Sequence, residues 1–70
     1  MSIEDVKRKH EMDLMKIPGV IGVGIGKGKS GGRVIQVLAE EVTRQMRETV
    51  PPMIDGFFVE VVRVGEVRKL

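Results

Sequence analysis

The amino-acid sequence predicts an α+β fold: a two-layer sandwich in the order helix, strand, strand, helix, strand, with an antiparallel sheet and a short extra hairpin strand. Three observations lead there. Ile3, Val6, His10, Leu14 and Ile17 recur at helical spacing. Val20 to Gly26, V-I-G-V-G-I-G, sets branched apolar residues at every second position with glycines between them. Asp55-Gly56 separates two apolar runs and suits the positive φ angles of a two-residue hairpin. Helices on one side of an antiparallel sheet are the simplest way to bury both apolar sets.

The first helix is expected from about Ser2 to Lys16, with Ser2 as N-cap and Glu4 and Asp5 in the first turn. Pro18-Gly19 ends it, because proline disfavours helical geometry in the residue before it. Strands over Val20 to Gly26 and Arg33 to Ala39 flank a polar, glycine-rich loop and should form an antiparallel hairpin. Glu41 to Thr49 reads as a short helix, since Val42, Met46 and Val50 are four apart, and Pro51-Pro52 stops it. Met53-Ile54 then folds back through Asp55-Gly56 onto a long strand, Phe57 to Val64. Gly65 marks a bulge or turn, and Glu66 to Lys69 would add an edge strand.

Strand alternation assigns Ile21, Val23 and Ile25 to one face of the first strand and Val20, Gly22, Gly24 and Gly26 to the other. The bulkier set should meet the helices. A smooth face of Val20, Gly22, Gly24 and Gly26 is then a candidate interaction surface, because glycine lets another backbone approach closely.

Seventy residues amount to a single domain over residues 1–70, and a chain of this length buries only roughly 60% of its unfolded surface. That leaves no room for a deep catalytic cleft, and oligomerisation is the expected supplement to a thin core. With 41% apolar and 31% charged residues the chain is globular in composition. It has no cysteine for a disulfide or thiolate metal site, and a cytoplasmic location is the default expectation. No apolar run approaches the roughly 20 residues of a membrane span, and the charged start is unlike a signal peptide, so the mature chain is expected to begin here. The net charge is +2, with basic and acidic residues interleaved except at Lys7 to Lys9. That is no strong nucleic-acid signature.

Gly26-Lys27-Gly28-Lys29-Ser30-Gly31 fits G-x-G-x-x-G, and Gly28-Lys29-Ser30 ends like a Walker A loop. Both motifs need a helix immediately after them to hold the phosphates, and a Walker loop needs glycine where Val23 stands. Arg33-Val34-Ile35 reads as strand instead. The G-x-x-G of Gly28 to Gly31 also matches KH domains, whose loop joins two helices, not two strands. The residues that would bind an anion or nucleic acid are Lys27, Gly28, Lys29, Ser30 and Arg33, joined by Lys7 to Lys9 if helix and loop lie close. The simpler reading is a flexible hairpin loop kept soluble by its lysines. Phe57 and Phe58 lie in an apolar strand and read as core, not as base-stacking platforms.

His10 is the sole histidine and reads as a hydrogen-bonded residue on the inner edge of the helix. Glu40-Glu41 and Asp55 read as strand-end solvation and as the turn residue, and Met12, Met15, Met46 and Met53 as gap-fillers. No catalytic residue, metal site or cofactor is expected.

The segments G-V-I-G-V-G-I-G, R-V-I-Q-V-L-A-E and I-D-G-F-F-V-E-V-V-R-V-G-E-V, in that order, resemble a small glycine/valine-strand α+β domain. That domain occurs free-standing in uncharacterised bacterial and archaeal proteins and ahead of trypsin-like serine protease domains. The resemblance covers nearly all of the chain, including the charged helix leading into L-M-K-I-P-G-V. Its recurring elements are structural, so it implies an accessory or interaction module and carries over no catalytic residue. The expected function is a non-enzymatic protein-interaction module that self-associates as a homodimer or binds another protein, with no membrane partner. The alternative is weak nucleic-acid or anion binding through the Lys/Gly-rich hairpin loop.

Overall fold

Ser2 holds an extended backbone, and its hydroxyl accepts a hydrogen bond from the Asp5 amide at 3.2 Å. This cap starts helix α1, Ile3–Met15, whose first turn carries Glu4 and Asp5 against the positive end of the helix dipole. The computed structural model describes residues 2–29 and 31–64. After α1 come β1 (Val20–Lys27), β2 (Arg33–Ala39), α2 (Arg44–Thr49), β3 (Met53–Ile54) and β4 (Phe57–Arg63). The expected bulge at Gly65 and strand over Glu66 to Lys69 lie outside the described residues.

Helix α2 is shorter than Glu41 to Thr49, because Thr43 caps it: its side-chain oxygen accepts from the Met46 amide at 3.1 Å. Asp55 and Gly56 have φ of +49° and +87°, the positive pair that a type I′ turn requires, and β3 folds back on β4 as the Asp-Gly signal predicts.

Two layers form, with a four-stranded sheet in the order β1-β2-β4-β3. The sheet is mixed, and this corrects the expectation of an antiparallel one. β1 with β2 and β3 with β4 are antiparallel, but β2 and β4 run parallel. The reason is the segment between them. A parallel neighbour needs a crossover of roughly a dozen or more residues, and α2 with its flanking loops carries the chain back to the end where β2 began.

One hydrophobic cluster holds the layers together. Ile3, Val6 and Leu14 of α1 and Met46 of α2, with Val50 just after it, meet Ile35, Val37 and Ala39 of β2 and Val59 of β4. Strand register places Val23 beside Val37 and Val61, and Ile25 beside Ile35 and Val59, on this same helix-facing side.

Val20 departs from the simple alternation. The register shifts between Val20 and Gly22, so a bulge inserts one residue and reverses the parity of what precedes it. Val20 therefore turns into the core and leaves the glycine face, whereas Ile21, at the bulge, stays 53% exposed.

Candidate functional site

The hairpin loop after β1 closes on itself. The Gly28 amide donates to the Gly32 carbonyl at 2.7 Å, and the Gly31 amide donates to the Gly28 carbonyl at 3.0 Å. The Lys29 amide points at the Glu60 carboxylate at 3.4 Å. These amides are thus engaged within the chain, and the nearest anion is the protein's own Glu60. A Cβ placed on Gly28 would lie 2.6 Å from Val34 Cγ1 and 3.2 Å from Glu60 Oε2, so the loop curls over the sheet face opposite the helices and buries Val34.

The structure brings Lys27, Gly28, Lys29 and Arg33 together, since Lys27 and Arg33 are cross-strand partners, while Ser30 lies outside the described residues. A strand follows the loop, so no helix N-terminus faces it.

Arg33 is engaged as well. Its Nη2 donates to Glu4 Oε2 at 2.6 Å, tying the start of β2 to the first turn of α1. In the Lys7 to Lys9 run, Lys7 pairs with Glu11 at 3.2 Å and Arg8 approaches Asp5 at 3.9 Å. Exposed pairs of this kind contribute little stability. They do reduce the net positive field that a phosphate backbone would meet.

The Arg33 guanidinium, first through its hydrogen bond, holds the Glu4 carboxyl below its ordinary value of 4.5. Because the folded value is the lower one, the contribution of this pair is present above about pH 4.5 and is lost as pH falls through the folded value. Arg33→Ala should raise the Glu4 midpoint towards the ordinary carboxylate range in an NMR titration. An unchanged midpoint would contradict the assignment.

His10 Nε2 lies 3.3 Å from Asp55 Oδ2, joining α1 to the β3–β4 turn across 45 residues. The sequence offered both residues but no signal for their pairing. Beside them runs an open groove lined by Leu14, Ile17, Pro51, Met53 and Ile54. Among the described residues no group of three or more His, Asp or Glu side chains converges to hold a metal. No polar or charged residue among them is buried either.

The glycines of β1 have a specific spatial role. Register places Gly22, Gly24 and Gly26 opposite Leu38, Gln36 and Val34, on the face away from the helices. A Cβ on Gly22 would meet Leu38 Cδ1 at 3.5 Å, and one on Gly26 would overlap the Gln36 amide, so side chains of β2 lean across β1 where these glycines leave room. Only Gly24 of the three has open space around it, with nothing within 4 Å of where a Cβ would stand. On β4 the same face carries Phe58, Glu60 and Val62, with Glu60 beside Gln36 and Val62 beside Leu38. Phe58 is 59% exposed.

β1 is also an outer strand, with no described strand on its far side. Along that margin Glu4, Lys7, Arg8 and Glu11 of α1 overhang the backbone at Gly24 and Ile25. Residue alternation singles out the face of this strand and not its edge, because it does not encode strand order. No family model, curated protein or solved structure matches the chain.

Proposed function

We propose that the chain is a non-enzymatic protein-interaction module that self-associates as a homodimer. The observation that supports this reading is a four-stranded sheet whose described helices pack on one face and whose strand β1 has no neighbour on its far side among the described residues. A thin core beside a sheet face that no described helix covers is the situation in which a second copy adds most to stability. An accessory role, in the sense of the small glycine/valine-strand domain it resembles, and a cytoplasmic location belong to the same proposal. Among the described residues no helix is long and apolar enough to cross a membrane. Anion or nucleic-acid binding through Lys27, Gly28, Lys29, Ser30 and Arg33 has less support, since Arg33 faces Glu4 and the Lys29 amide faces Glu60.

Sedimentation velocity across micromolar concentrations tests the proposal. The expected result is a concentration-dependent species of twice the 7.8 kDa chain mass. A monomer throughout that range would refute it.

A further inference from the structure

Resting on that reading, we propose that the dimer forms by antiparallel pairing of β1 with β1 of a second copy, joining two four-stranded sheets into one continuous sheet. Four observations point to the strand margin and not the open face.

First, β1 is eight residues long, V-I-G-V-G-I-G-K, with no proline and with its single charge at the last position. Unpaired edges are commonly protected by proline, by lysine within the strand or by a bulge. Here the bulge lies at Val20 to Gly22, leaving Gly22 to Lys27 in regular register and able to accept another strand.

Second, apolar surface collects at this margin. Ile21 is 53% exposed and lies outside the core cluster. Met15, 42% exposed, continues by helical spacing the row of Glu4, Arg8 and Glu11 that flanks β1.

Third, that row is compatible with its own two-fold image. Its charges are compensated within the chain, by the pairs Glu4 with Arg33, Lys7 with Glu11 and Arg8 with Asp5, so two copies approach without net repulsion. In an antiparallel pairing whose two-fold axis passes midway between Arg8 and Glu11, Arg8 stands opposite the partner's Glu11, and the symmetry makes that contact twice. Helix α1 packs chiefly on β1 and less on β2, so it lies alongside the strand that would pair.

Fourth, the alternative interface is electrostatically unfavourable. Gln36 and Glu60 are neighbours in the middle of the open face. Stacking two such faces would desolvate a Glu60 carboxylate from each copy, held only by the Lys29 backbone amide at 3.4 Å and in no ion pair among the described residues, and buried unpaired charge is strongly disfavoured.

The test uses the intact chain. In an equimolar mixture of isotope-labelled and unlabelled protein, isotope-filtered NMR should show intermolecular contacts between α-protons of Gly22, Gly24 or Gly26 and those of β1 in the other copy. Ile21→Lys should weaken dimerisation by about tenfold or more, whereas Phe58→Lys, on the open face, should leave it unchanged; both variants are checked for native secondary structure. A wild-type dimer without β1 to β1 contacts overturns the edge interface while leaving self-association standing. A wild-type monomer overturns both.

Discussion

Ile35→Ala is expected to lower stability by about 2–5 kcal/mol, the cost of removing a large aliphatic side chain from a packed core. Ile35 is fully buried in the inner strand β2, between Ile25 on β1 and Val59 on β4, so the cavity opens at the centre of the sheet. For a chain of seventy residues, total stability at about 0.05–0.15 kcal/mol per residue is of the same order. The variant should therefore be largely unfolded at moderate temperature. Urea denaturation followed by circular dichroism provides the measurement, and Ile35→Val, expected to cost about 0.5–1.5 kcal/mol, sets the scale. A midpoint for Ile35→Ala close to wild type, with an unchanged slope, would show that this strand is not the centre of the core.

Gly19→Ala should have the second largest effect, about 1–3 kcal/mol from backbone strain alone. Gly19 joins the end of α1 to β1 with φ of +94°, where a side chain is strained, and a Cβ there would lie 2.6 Å from Met46 Cε. Met46 is itself almost completely buried, so its methyl cannot withdraw without disturbing the core around α2. Gly24→Ala is the control. Nothing lies within 4 Å of a Cβ at Gly24 and its φ is not positive, so the folded monomer should tolerate it. Thermal denaturation of the two variants separates the cases, and equal losses would contradict the geometry.

The elements with local signals were legible in the sequence. Ser2 caps α1 because its hydroxyl needs only a partner three residues ahead. Asp55-Gly56 turns the β3–β4 hairpin because two adjacent residues accept positive φ. Helix α2 was legible in kind but began three residues later than expected, since its apolar stripe extends past the Thr43 cap that sets its true start.

The candidate site was legible in part. The face carrying Gly22, Gly24 and Gly26 follows from alternation, and register confirms that these glycines share a side. Val20 does not share it, because a bulge leaves the residue count of a strand unchanged and alters only how the partner strand meets it. The engagement of Arg33 by Glu4 and of His10 by Asp55 joins residues 29 and 45 positions apart. Neither pair has a spacing rule that would announce it.

The elements, their order and their caps are written in the chain itself, since each depends on torsional preferences and hydrogen bonds spanning only a few residues. How those elements meet was settled only on folding: β4 parallel to β2, Val20 turned inward, and β2 side chains lying over the glycines of β1. The path of the α2 crossover and the register of distant strands both follow from burying one common core. That collective energy belongs to no single position.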